Sequence, residues 1–157
     1  MLRRLTILVT VLVGLSPVSA FAEAEPIDIV RSLYAGHPYE IAPPGGMDLW
    51  TPRMQAIWQK LNEDEAQRVS GELEYYGEGL TVDFMTGTQE FWFDDLKVKT
   101  VDQTAGTADV LAVMNNGADA PFALHYDFVR DEAGDWQIAE VRRDAGWLLS
   151  ERIQATR

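Results

Sequence analysis

FALHYDFVRDEAGDWQIAEV, residues Phe122 to Val141, carries the plainest architectural signal in the chain. Two runs in which apolar residues alternate with others flank Asp131-Glu132-Ala133-Gly134-Asp135. Gly134 stands where a three-residue hairpin loop needs a left-handed backbone. The stretch therefore predicts an antiparallel hairpin in which Phe128 faces Ile138, Tyr126 faces Glu140 and Leu124 faces Arg142. Because side chains alternate along a strand, Phe122, Leu124, Tyr126 and Phe128 turn to one face with Trp136 and Ile138. Ala123, His125, Asp127 and Val129 turn to the other, beside Gln137 and Ala139. The contiguous triplet His125-Tyr126-Asp127, which on paper resembles a catalytic set, is split between two faces.

The period of two extends upstream of the hairpin. LKVKTV sets Leu96 and Val98 against Lys97 and Lys99, and TADVLAVM reads as a more buried strand. Asn115-Asn116-Gly117 marks the turn between that strand and the hairpin. Downstream, Gly146 ends the last strand and WLLSERI predicts a short terminal helix. The first half of the chain instead follows a helical period. EPIDIVRSLYAG carries Ile27, Val30, Leu33 and Tyr34 on one stripe behind Pro26, and Gly36 with Pro38 ends it. PYEIAPPGG is a loop. TPRMQAIWQKL begins a second helix, with Thr51 as cap, Pro52 in the first turn, and Met54, Ile57, Trp58 and Leu61 on its stripe. Asn62 with Glu65 has the form of a capping box, which predicts a third short helix over NEDEAQRVSG. Helices first and a strand meander afterwards give an α+β domain, its helices packed on one face of a curved antiparallel sheet.

The remaining sequence bounds compartment and partners. MLRRLTILVTVLVGLSPVSAFA joins two arginines, an apolar run from Leu5 to Leu15 and the small-x-small triplet Ala20-Phe21-Ala22, the form of a secretory signal peptide. The run is about half of the roughly 20 residues that span a bilayer. The expectation is cleavage near Ala22, a single domain over 23–157, and release into the periplasm without stable membrane association. The chain has no cysteine, so neither disulfides nor a lipidated cysteine are available. Its formal charge is −12, and loss of Arg3 and Arg4 with the leader makes it more negative still. That balance opposes binding to nucleic acid or anionic lipid, where attraction to phosphate dominates. Cations, basic proteins and neutral small molecules are left as partners.

The register above brings Tyr126, Glu140 and Arg142 onto the apolar face beside Leu124 and Ile138. A carboxylate there needs a partner or water. Either a Tyr126 to Glu140 hydrogen bond or a Glu140 to Arg142 pair closes the mouth of the fold, or Glu140 is a desolvated general base with Tyr126 as hydrogen-bond donor. With Trp58 and Trp136 these residues form the candidate ligand site: Trp58, Tyr126, Trp136, Glu140 and Arg142. No metal site is expected, since the two histidines, His37 and His125, are far apart in sequence and the acidic loop Asp131, Glu132, Asp135 lacks the ligand spacing of a calcium loop. Asp94 and Asp95 fall on opposite sides of a strand. No cofactor fingerprint or glycine-flanked serine is present.

IVRSLYAG in the first helix, LTVDFMTGTQEF with Asp83, Phe84 and Gln89, and YDFVRDEAGDWQIAEV with Gly134-x-Trp136-x-Ile138 together resemble the nuclear-transport-factor-2-like (cystatin-like, SnoaL-type) cone fold. Within it, the chain is similar to a secreted bacterial branch of a domain family of unknown function, over about residues 26 to 155. The resemblance implies a curved sheet wrapped on helices around a pocket that relatives use for small ligands, for isomerase or hydratase chemistry, or for protein partners, and often a dimer through the outer sheet face carrying His125, Asp127 and Val129. Three readings follow. The first is a non-enzymatic module holding a small apolar or mixed ligand between Trp58, Tyr126, Trp136 and Glu140. The second is a proton-transfer or hydratase-type enzyme using Glu140 and Tyr126. The third is an inhibitor or immunity-like protein that binds a basic partner.

Overall fold

The strands pair in the order in which the chain writes them. The computed structural model describes residues 24–36, 43–70, 84–87, 92–118, 120–143 and 146–155. The predicted leader over 1–22, His37, and Asp83 and Gln89 of the family-like stretch lie outside the described residues. Strands β1 (Asp94–Gln103), β2 (Thr107–Asn115), β3 (Phe122–Arg130), β4 (Trp136–Arg143) and β5 (Trp147–Leu148) form one open antiparallel sheet in the order β1-β2-β3-β4-β5. Helices α1 (Pro26–Ala35), α2 (Pro52–Ser70) and α3 (Leu149–Ala155) complete an α+β fold. No helix among the described residues is long and apolar enough to cross a membrane.

Each element has a local cause. Pro26 and Pro52 occupy first helical turns, where a missing N–H costs nothing. Ile29, Val30, Leu33 and Tyr34 give α1 its buried stripe, while Ile27 is only partly covered. The α2 helix does not reset at Asn62, and the expected third helix is its continuation. The stripe Met54, Ile57, Trp58 and Leu61 holds the helix up to the junction and the i,i+4 ion pair of Lys60 with Asp64 spans it, so the capping signal does not stop the backbone. In the β3–β4 loop Gly134 has φ 92°, and the Asp131 N–H donates to the Asp135 carbonyl at 2.9 Å, closing the predicted turn.

The inner sheet face is the core. Val110, Ala112, Leu124, Tyr126, Ile138 and Val141 expose nothing to water and pack with Ile29, Val30, Trp50 and Met54 from the other elements. Burial alternates residue by residue along β2 and β3, so the two faces of the sheet have different fates. On the outer face Leu111, Val113, Ala123 and Val129 are only half-buried and join no part of the core.

The predicted register holds at first and then fails. Arg130 pairs with Trp136, Val129 with Gln137 and Phe128 with Ile138; beyond these a bulge sets Asp127 opposite Glu140, Tyr126 opposite Val141 and His125 opposite Arg142. Ala139 is the extra residue. The bulge lets Ile138 and Val141, three apart, both reach the core. Tyr126 therefore does not face Glu140, and Leu124 does not face Arg142.

Candidate functional site

Three strands build a charged network on the outer face. Asp109 of β2 lies directly opposite Asp127 of β3, and Asp127 directly opposite Glu140 of β4. Opposed like charges destabilise a sheet unless neutralised. Arg142 does this for the first pair: its Nε donates to the Asp127 carboxylate at 3.0 and 3.1 Å, and its Nη2 donates to Asp109 Oδ2 at 2.6 Å. Burial pulls the Arg142 pKa down, but the hydrogen bond and charge of Asp127, with the charge of Asp109 behind them, outweigh it and hold the group above its usual value. His125 Nδ1 sits 2.8 Å and 3.1 Å from the two Asp109 oxygens. The His125 and Asp109 side chains are 18% and 19% exposed, sheltered but in touch with solvent.

The inner face presents a different picture. The Tyr126 hydroxyl lies 3.0 Å from that of Tyr34, whose hydroxyl also donates to the Met85 carbonyl at 3.1 Å. Trp58 packs edge-on against Trp50, with ring centroids 5.4 Å apart, and lies tilted against Phe84 at 6.0 Å. Trp136 lies under the Arg130 guanidinium, 4.1 Å from its centroid. Neither indole N–H, of Trp58 or of Trp136, finds an acceptor among the described residues, although both are buried. Buried donors without partners are few in folded proteins, and each asks for an explanation.

Glu140 takes a third position. Its Oε1 accepts from the backbone N–H of Ser150 at 3.0 Å, in the first turn of α3, and from that of Val141 at 3.1 Å. Its Oε2 lies 3.6 Å from Arg53 Nη1 at the start of α2. Glu140 thus ties the bulge to two helices, and neither the Tyr126 bond nor the Arg142 pair expected from the sequence forms. Trp58, Tyr126 and Trp136 stay with the core, whereas Arg142 has crossed to the outer face.

Asp109 is the residue that sequence reasoning missed. Its signal is an acid at an outward position of TADVLAVM, between Thr107 and Leu111. Seeing its meaning needs the β2–β3 register, which the loop between Asn115 and Phe122 sets and no turn motif dictates. Among the described residues no group of three or more His, Cys, Asp or Glu side chains has metal-binding geometry. Comparison of the chain with protein-family models, with curated proteins and with solved structures finds no match.

Proposed function

We propose that this protein is an exported, non-enzymatic interaction module of the nuclear-transport-factor-2-like cone type, and that it binds a cationic protein partner through the outer face of its sheet. The open five-stranded antiparallel sheet with its helices on the inner side is compatible with such a cone. The observation that carries the reading is the Asp109, His125, Asp127 and Arg142 network, built across three strands on a face where Leu111, Val113, Ala123 and Val129 stay half-exposed. Charge complementarity names the partner class. A chain of formal charge −12, whose outer row Asp102, Asp109 and Asp127 is acidic in register on three strands, attracts a basic surface.

A second reading keeps a small mixed ligand among Trp58, Tyr126, Trp136 and Glu140. The two unaccepted indole N–H groups favour it, since a ligand carbonyl or carboxylate is the acceptor they lack. Full burial of Tyr126 and Ile138 weighs the other way, because no surface at those residues is open to water or ligand. A base role for Glu140 has less support, since its carboxylate is spent on backbone N–H groups.

The test begins with affinity capture from envelope extract at low and high salt, using the wild type and Asp127→Arg. The retained protein is then purified and titrated by calorimetry. The proposal predicts a saturable complex that weakens as salt rises and is lost with Asp127→Arg. A purified complex indifferent to Asp127→Arg, or an organic ligand that co-purifies with the protein while no protein partner is retained, overturns it.

A further inference from the structure

Asp109 is salt-bridged to Arg142, and its carboxylate can only accept hydrogen bonds. A histidine nitrogen 2.8 Å from it must therefore carry the hydrogen. That assigns the neutral ring of His125 as the Nδ1–H tautomer and leaves a lone pair on Nε2, the nitrogen not held by Asp109. Arg142, directly opposite on β4, directs Nε and Nη2 to Asp127 and Asp109.

We propose that His125 Nε2 is the hydrogen-bond acceptor that recognises a cationic N–H donor, a guanidinium or ammonium group of a basic partner segment, and that protonation of the ring removes the site. This inference rests on the outer-face reading above and gives it an atom and a regulator. The charged groups around His125 on this face are Lys97, Lys99 and Asp102 of β1, Asp109 of β2, Asp127 on its own strand, and Arg142 of β4, with Glu140 in register opposite Asp127. Asp127, a third exposed, is the carboxylate beside which an incoming cation settles. Lys99, across Leu111, and Arg142 repel a second cation close to the ring, so a basic segment docking on this face places a single donor at His125. When the ring takes a second proton, Nε2 turns from acceptor to donor and the imidazolium repels the ligand it had bound. Protonation of the ring therefore abolishes the acceptor, and loss of that proton restores the interaction.

The experiment uses protein labelled with 15N-histidine, with the His125 signals assigned by comparison with His37→Gln. The expected spectrum of the free protein shows an unprotonated Nε2 and a protonated Nδ1. The probe is the capped peptide Ac-Arg-Ala-Arg-Ala-Arg-amide, which shifts the Nε2 resonance saturably in the wild type. In Asp109→Asn the amide can donate to Nδ1, so the ring is free to take the Nε2–H tautomer, and peptide affinity falls about tenfold, the loss of one charge-assisted hydrogen bond. The same fall is expected in the wild type at a pH where the spectrum shows the ring protonated. A cooperative thermal transition in Asp109→Asn confirms that the fold is retained. If that variant does not fold, the wild-type tautomer and its peptide titration against pH decide alone. An Nε2–H tautomer in the wild-type protein, or a peptide affinity indifferent to ring protonation, overturns the inference. If the purified partner binds Asp109→Asn as tightly as wild type yet is lost with Asp127→Arg, the acceptor role of His125 fails and the outer-face reading stands.

Discussion

Arg142→Met replaces a neutralising cation by a side chain of comparable length, and its cost can be worked from the network. Exposed ion pairs contribute about 0.2–1 kcal/mol, and breaking a buried pair costs about 3–5 kcal/mol. Arg142 is 37% exposed, and its partners Asp109 and Asp127 are 19% and 34% exposed, so both pairs belong near the lower bracket. About 1 kcal/mol for each pair, with about 0.5 kcal/mol for the opposed carboxylates left facing one another, gives a loss of about 2.5 kcal/mol. The assay is urea unfolding at neutral pH, followed by the fluorescence of the buried Trp50, Trp58 and Trp136. In a background of Asp109→Asn and Asp127→Asn the same substitution should cost only about 0.5 kcal/mol, since no charge remains to be neutralised. The Arg142 pKa is raised in the folded protein, so its contribution is present throughout the range below the usual arginine value and is lost only as pH rises through the raised one. Its stabilising effect therefore has no dependence of its own near neutrality. An unchanged midpoint in the wild-type background, or an equal loss in the neutralised one, would refute the claim that Arg142 holds the two carboxylates together.

Two further substitutions test the frame around this network. Glu140→Ala should cost about 1–3 kcal/mol by leaving the Ser150 and Val141 N–H groups without their acceptor, and Glu140→Gln should recover most of it, because an amide oxygen still accepts. Equal destabilisation by both, measured by chemical unfolding, would show that charge rather than acceptance is what Glu140 supplies. Gly87→Ala should cost about 2–4 kcal/mol, because φ is 70° and the added Cβ would lie 2.4 Å from the Phe122 ring, whereas Gly46→Ala, at φ 87° with open space around it, should cost about 1–2 kcal/mol. Melting temperatures that fail to separate the two glycines would show that the Phe122 contact relaxes at no cost.

The meander was legible because each strand buries one face only, and alternation such as that of Phe122, Leu124, Tyr126 and Phe128 is a direct record of the sheet. Gly134 could be read for a similar reason, since a positive φ admits few other residues. The join inside α2 was misread because Asn62 and Glu65 satisfy a capping pattern wherever they occur, whether or not the backbone stops there. The candidate site was less legible. Trp58, Tyr126 and Trp136 are core residues, as their burial shows, but Glu140 and Arg142 depend on a register that one inserted residue changes. Asp109 could not be connected to His125 without the β2–β3 pairing, because hydrogen bonds across a sheet leave no periodic trace in either strand.

The bulge at Ala139 is what joins the packing of one face to the chemistry of the other. Without the extra residue Val141 would turn outward, and Tyr126 would meet Glu140 within the buried core layer, an arrangement that buries a charge. Arg142 would turn inward by the same step. Asp109 and Asp127 would then confront each other unneutralised, since among the described residues the other ion pair that reaches either is that of His125 with Asp109. One shift of register therefore satisfies two demands: an apolar residue opposite Tyr126, and a cation opposite His125. The odd spacing from Ile138 to Val141, the last two apolar anchors of β4, is the trace of that shift in the sequence. Any substitution that regularises this hairpin should disturb the core and the outer network together, although the two lie on opposite sides of the sheet.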